Sequence, residues 1–395
     1  MSLERLYYND PFSNIVISCD FYCVESSEII NRVLRTAIEC FESLGMSISV
    51  DDNDCLRFGN VGHKRNLENI LFSDLDELSI LKSLAGYPFD LQNGETLKII
   101  IQTKEFGYTM YFCMHHIIGD AISLILLIKK FVALMQNNDI SFVEINNTTK
   151  NKTIELDSQT KYLISTINKK YPRKYYSRSD YLSMHYQLHN DNNLEIAKVI
   201  LNEHEFWDIK EFCKKLGVSI TSYIVSEVFR VQNVETVCLA VNSRESENTF
   251  GNFVGRIDIP HRSIEKESNI QSRIITINKY IKSILGNMKE MDKGEEILNL
   301  IHPGFYDDVI FNVYSSESNP FAKKMSKFIG YKDNKPTTFV SNLKTVIFDC
   351  KVNSRISKLC FYPPHPVERF STIGIVTQND QMVITIQKFR EEKTL

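Results

Sequence analysis

Between residues 97 and 135 the apolar pattern changes its period, and this change constrains the local fold more tightly than any other feature of the chain. Leu97 to Ile101 and Tyr108 to Met114 are two β-rich apolar runs separated by the hairpin-like break TKEFG. Directly after them Ile122, Ile125, Leu126, Phe131 and Leu134 recur at helical spacing. Residues 115–121, HHIIGDA, must therefore carry the chain from strand through a turn into a helix.

The same reading extends in both directions. Asn14 to Cys23 reads as a strand and Glu28 to Leu44 as a helix capped by Ser26 or Ser27, with Gly45 where it ends. After a polar stretch from Asn137 to about Asn193 the pattern restarts with a strand at Leu194–Leu201, a helix at Glu203–Leu216 and a helix at Ser219–Val231 capped by Ser219 or Thr221. Strands are expected at Thr236–Val241, Arg256–Ile259, Asp308–Tyr314, Thr345–Phe348, Leu359–Tyr362, Thr372–Thr377 and Gln381–Ile386. This is a mixed α/β protein whose two halves each open with a strand and a helix. A single core stops growing at roughly 250–300 residues. A chain of 395 residues is thus expected to form two lobes, 1–150 and 194–395, with a crossover linker at 151–193.

Composition narrows the function classes. With 43% hydrophobic and 24% charged residues, 15 Gly and 10 Pro, collagen-like, disordered and low-complexity chains are excluded. Forty-six basic residues against forty-nine acidic ones leave a net charge of −3, so no global field draws the chain to nucleic acid or to an anionic membrane. No apolar run approaches the roughly 18 residues of a membrane span, and MSLERLYYNDPF lacks the order of a signal peptide, so a cytoplasmic location is expected. The nine cysteines are scattered and form no CxxC pair, which argues against a disulfide framework or a zinc knuckle and for buried thiols in a reducing compartment.

The densest group of reactive side chains is His115, His116 and Asp120. Adjacent residues at a strand end point to opposite faces, so at most one histidine faces a given cavity, and no third ligand stands at zinc-motif spacing. Asp120, one turn on, is placed to orient a general base. The alternative is that both histidines are satisfied by backbone carbonyls at a buried strand end. Dinucleotide, P-loop and hydrolase-elbow signatures are absent. YPRKYYSRSDY, residues 171–181, interleaves Arg173, Lys174 and Arg178 with tyrosines in the manner of a single-strand binder, but three cations in an acidic chain read as a solvated linker. YPPHP, residues 362–366, holds His365 in a turn, and Phe206 and Trp207 are expected to pack the first helix of the second lobe.

HHIIGDA resembles the HHxxxDG motif of the chloramphenicol acetyltransferase-like superfamily, which includes condensation domains and alcohol acyltransferases. Other segments resemble it in the expected order: YPFDLQNGETLKIII at 87–101, FWDIKEFCKKLGVSITSYIVSEVF at 206–229, NSRESENTFGNFVGRIDIP at 242–260, FNVY at 311–314 and TFVSNLKTV at 338–346. The resemblance implies two acetyltransferase-like lobes forming a pseudo-dimer around a central tunnel. His116 would be the general base that takes a proton from a hydroxyl or amine as it attacks a thioester. Asp120 would be structural, paired with an arginine, and His115 would face into the lobe. The implied partners are an acyl-CoA or a phosphopantetheinyl carrier protein as co-substrate and a small-molecule acceptor, with no permanently bound cofactor, no metal and no nucleic acid. A pseudo-dimer carries its lobe interface in one chain, so a monomer is expected. A catalytically idle binding or scaffold module is the competing reading.

Two departures from the family pattern bear on the site. Ala121 replaces the motif glycine, which matters only where the dihedral angles or the space forbid a Cβ. MSISVDD, residues 46–52, lacks the arginine that many relatives carry there, leaving Arg57 and Arg244 as candidate partners of Asp120. Ser341 and Asn342 are the candidate oxyanion donors, and Arg173, Lys174 and Arg178 the candidate contacts to coenzyme A or pantetheine phosphates. FGNFVG, residues 250–255, reads as a crossover loop closing the tunnel.

Overall fold

The computed structural model describes residues 4–10, 12–22, 25–52, 55–137, 141, 143–144, 156–170, 178–191, 194–265, 267, 269–286, 297, 299–307, 336–348, 356–366 and 370–389. The first half carries α1 (Glu4–Asn9), β1 (Asn14–Phe21), α2 (Ser27–Glu39), β2 (Met46–Val50), β3 (Leu56–Asn60), α3 (Lys64–Glu68), β4 (Ile70–Phe72), α4 (Glu77–Ala85), β5 (Leu97–Lys104), β6 (Gly107–His115), α5 (Ala121–Leu134) and β7 (Val143–Glu144). Then come α6 (Ser158–Lys170), α7 (Arg178–Asp191), β8 (Leu194–Leu201), α8 (Glu203–Leu216), α9 (Ile220–Gln232), β9 (Thr236–Asn242), β10 (Thr249–Phe250) and β11 (Val254–Pro260). The last elements are α10 (Ile270–Leu285), β12 (Thr337–Thr345), β13 (Ile356–Tyr362), β14 (Ser371–Gln378) and β15 (Gln381–Phe389).

Element boundaries follow local chemistry. The Ser26 hydroxyl accepts the free amide of Ile29 at the start of α2. Asn202 and Glu205 form a reciprocal capping box on α8, which ends at Gly217 in the left-handed region with φ 66°. Ser219 caps α9. Most side chains of α5 from Ala121 to Ala133 are buried, because a helix that is apolar nearly all round suits an interior and not a surface.

Five strands form one sheet in the order β13-β1-β6-β5-β4, and six form another in the order β11-β9-β12-β14-β15-β8. In the first, β5 and β6 make the expected hairpin, and β1 runs antiparallel to β6 with Asn14 opposite His115. Its edge strand β13 comes from far along the chain and pairs antiparallel with β1, Val16 opposite Tyr362. One apolar cluster gathers α2, α5 and the first sheet; a second gathers α9, α10 and the second sheet. The backbones of β13 and β14 approach so closely that a Cβ on Gly374 would lie 2.2 Å from the Phe361 carbonyl oxygen. The small parallel pair β10 and β7 holds residues 249–250 beside the end of the first region.

Some expected elements differ from the observed ones. The helix expected at 28–44 ends at Glu39 and is followed by a 3-10 turn, Glu42–Gly45. The strand expected at Thr345–Phe348 lies earlier, at Thr337–Thr345, and a register shift between Asn342 and Thr345 with Lys344 at φ 60° ends it. The polar stretch before Leu194 contains α6 and α7, and α10 has no counterpart in the sequence reading. The strand expected at Asp308–Tyr314 lies outside the described residues.

Candidate active site

β6 delivers the two histidines, and pairing with β1 fixes where they diverge. The His115 amide donates to the Thr96 carbonyl and the His116 amide to the Ser13 carbonyl, at 3.0 and 2.8 Å. His115 is buried to 1% exposure, accepts the Ile117 amide at Nδ1 and meets the edge of Phe89. The His116 ring has different neighbours: Tyr7 of α1 stacks on it with centroids 4.8 Å apart, and Asn252 meets its Nδ1 edge. Asn252 Nδ2 is 3.2 Å from His116 Nδ1 and donates to the His116 carbonyl at 3.3 Å. Burial pushes the His116 imidazole below its ordinary value. The charge of Asp120 and the ring's own backbone carbonyl pull the other way, and the Arg244 guanidinium pushes it down again. The ring is thus neutral at physiological pH.

Asp120 turns away from the histidines. Its carboxylate caps α5, accepting the amides of Ile122 and Ser123 at 3.1 Å. It also takes a two-pronged bond from Arg244, with Nη1 at 2.6 Å from Oδ2 and Nη2 on Oδ1, and the Phe253 amide at 3.0 Å. The side chains of Arg244 and Asp120 are 1% and 2% exposed. Ser123 joins the network: its hydroxyl accepts from Arg244 Nη2 and from the Gly251 amide, each at 2.9 Å, and lies 2.8 Å from the Gly251 carbonyl, to which it donates. Gly251 has φ 147°, a conformation that favours glycine. Gly119 is needed for space, since a Cβ there would sit 2.8 Å from the Ser123 Cβ. Ala121 is the first residue of α5, where a Cβ meets no backbone penalty. Through these bonds residues 244–253 are fastened over the strand-to-helix turn, and Asn252 is brought to His116.

Other candidates fall elsewhere. Arg57 does not reach Asp120, because its Nε donates to Asp51 at 2.6 Å on the exposed β2–β3 hairpin. Ser341 and Asn342 lie on β12 of the second sheet, and no hydrogen bond joins them to His116 among the described residues. The Asn342 carboxamide is engaged at both ends, by the Thr221 hydroxyl and the Lys344 amide. Arg173 and Lys174 lie outside the described residues, and Arg178 is described only as the first residue of α7. His365 is buried, with Nδ1 2.8 Å from the Thr372 hydroxyl. Phe206 is buried, but Trp207 is 39% exposed under the Lys210 ammonium, so only Phe206 packs inward. No group of three metal-ligating side chains occurs among the described residues. Tyr7, Ser123 and Asn252 are the contacts that sequence reasoning misses. Each is a common residue type whose neighbour is distant in sequence, and only the resemblance of 242–260 pointed near one of them.

No protein-family model matches the chain, and no curated protein matches it in sequence. Its fold is nevertheless that of solved condensation domains. The condensation domain from Monacolin K polyketide synthase MokA superposes with a TM-score of 0.60 at 10% identity, covering 98% of this chain and 90% of that one. The first condensation domain of the CDA synthetase gives 0.59 at 11% identity, covering 98% and 87%. An epimerization domain from the third module of tyrocidine synthetase B gives 0.54 at 11% identity, covering 100% and 91%.

Proposed function

From a chain folded as a condensation domain, we propose an acyltransferase that moves an acyl group from a CoA or carrier-protein thioester to a hydroxyl or amine acceptor, with His116 as general base. The carrying observation is the buried His116 ring stacked on Tyr7 with Asn252 at its Nδ1, beside a carboxylate committed to Arg244, the start of α5 and the Phe253 amide. The carboxylate therefore shapes the turn and leaves proton transfer to the ring. The acceptor gives its proton to a ring nitrogen as it attacks the thioester carbonyl carbon. The tetrahedral oxyanion then collapses, the carbon–sulfur bond breaks, and the leaving thiolate recovers the proton from the imidazolium. Base catalysis of this kind supplies on the order of 10²–10⁴-fold, and positioning and oxyanion donors supply the rest. Ser341, whose hydroxyl makes no hydrogen bond among the described residues, is the donor we assign, since the Asn342 amide is already engaged. Arg173, Lys174 and Arg178 are assigned to the donor's phosphates.

One contact favours a second reading. If the Asn252 amide donates to His116 Nδ1, the neutral ring carries its proton on Nε2 and offers no lone pair there; the ring's own carbonyl favours the opposite tautomer. Such a lock suits an idle binding module. The fold alone does not choose, since it is shared with an epimerization domain. Thiol release from a panel of acyl-CoA and acyl-carrier thioesters with pooled alcohol and amine acceptors separates the readings. Acceptor-dependent release that falls at least about 10²-fold in folded His116→Ala supports the enzyme. Silence across the panel, with the ring proton found on Nε2 by nitrogen NMR, supports the module.

A further inference from the structure

At the far end of β6 from the histidines the first sheet is open. Tyr108 is the second residue of that strand, and at about 3.4 Å per residue it lies roughly 24 Å from His115. There a groove of about 410 Å³ opens between the end of β1, the β5–β6 turn, the start of β13 and the start of α4. Its rim is aromatic: Phe106 is 69% exposed and Tyr22 54%. Its floor is Tyr111, whose phenol is pushed up first by burial and then by the charges of Glu77 and Asp20. The groove continues into a ridge at residues 71–78. The Gln102 amide donates to the Leu75 carbonyl, while the Gln102 carbonyl lies 3.4 Å from the Tyr111 hydroxyl. On that ridge Leu71 and Phe72 of the edge strand β4, and Leu75 and Leu78 after it, are all exposed.

Charge selects the occupant. The ridge sequence FSDLDEL alternates apolar side chains with Asp74, Asp76 and Glu77, and the groove adds Asp20 and Glu105. Three lysines stand among these carboxylates: Lys198, bound to Glu77 at 2.5 Å, and Lys104 and Lys358 on the groove wall. Asp20, Asp74 and Glu105 form no ion pair among the described residues. An apolar surface with a carboxylate excess repels an anionic bilayer and nucleic acid, and complements a cationic apolar partner. We propose that the groove and the 71–78 ridge form one docking surface for a protein segment that alternates apolar anchors with Lys or Arg. The apolar side chains seat against Phe72, Leu75 and Phe106, and the cations meet Asp20, Asp74 and Glu105. The surface is separate from the His116 site, and its occupancy does not depend on what that site does.

The test is binding of a fluorescent amphipathic Leu/Lys peptide of about 18 residues to the full chain, followed by anisotropy. Binding is expected in about the micromolar range. It weakens about tenfold in the Leu75→Ser, Phe106→Ser double variant and several-fold in Asp74→Lys or Glu105→Lys. The charge effect fades as salt rises from about 0.05 to 0.5 M. All four positions are exposed, and circular dichroism of each variant reports that the fold persists. Four results overturn the proposal: no binding up to about 1 mM; equal binding by folded variants; equal binding of a Leu/Glu peptide; or self-association in light scattering that Leu75→Ser abolishes, which makes a second copy the occupant.

Discussion

The two ends of β6 are built on the same strand and differ in almost every physical respect. At the His115 end the carboxylate of the turn is matched: Asp120 is sealed against Arg244, Ser123 and three backbone amides. At the Tyr108 end Asp20, Asp74 and Glu105 stand beside exposed aromatics without ion pairs among the described residues. A buried ion pair is weak as a source of stability but costly to break, because the survivor is left charged and dry. Exposed carboxylates carry no such penalty. The first end is therefore built to hold a geometry, and the second can change its contacts freely.

That contrast can be broken most sharply at Arg244. Arg244→Met leaves Asp120 buried and uncompensated and is expected to cost about 3–5 kcal/mol in urea unfolding; a cost below about 1 kcal/mol would mean that water already reaches the pair. Next, Gly251→Ala forces a Cβ onto φ 147° and is expected to cost about 1–3 kcal/mol. If it also releases Asn252, the imidazole resonance of His116 will shift in the same variant.

Acid supplies a third, smaller probe. His116 is held below its ordinary value of 6.5, so the unfolded chain takes up this proton first. The stability associated with the neutral ring is complete above about pH 6.5 and is lost as pH falls from there through the folded value. Unfolding at pH 7.5 and 5.0 (about ±0.1 in each buffer) should show a larger loss for the native chain than for His116→Gln. A base-dependent rate should fall over the same window, with its midpoint below about 6.5. At the open end, Phe106→Ser is expected to change stability by less than about 0.5 kcal/mol. A larger loss would show that the rim aromatic packs in solution and that the two ends are less different than they look.

The parts legible in the sequence are those set by neighbours in the chain. The β5–β6–α5 unit follows from a change of period, α8 from Asn202, Glu205 and Gly217, and the Ser26 and Ser219 caps from a hydroxyl before an apolar helical run. The site is legible as a motif but not as an assembly. Arg244 lies 124 residues from Asp120, and nothing local to it separates it from Arg57 as a candidate partner. Asn252 reads as one loop residue among several, 136 positions from the ring it touches. The hairpin of β2 and β3 and the helix α10 also carry local signals, although the expected elements do not include them: Met46, Ile48 and Val50 alternate with serines, and Ile274, Ile277 and Ile281 follow an Asn269 cap at helical spacing.

β13 has a consequence for the order in which the molecule can assemble. Ser357 lies 337 residues from Asp20, whose carbonyl its hydroxyl reaches, so the flank of β1 waits for a strand made much later. At synthesis rates of about 5–20 residues per second, that flank stays open for on the order of tens of seconds. Throughout that interval β1 presents unpaired backbone groups that any passing strand can take up. A nascent chain of this design is therefore most exposed to aggregation before β13 emerges, and a holdase acting on β1 would serve it best in that window.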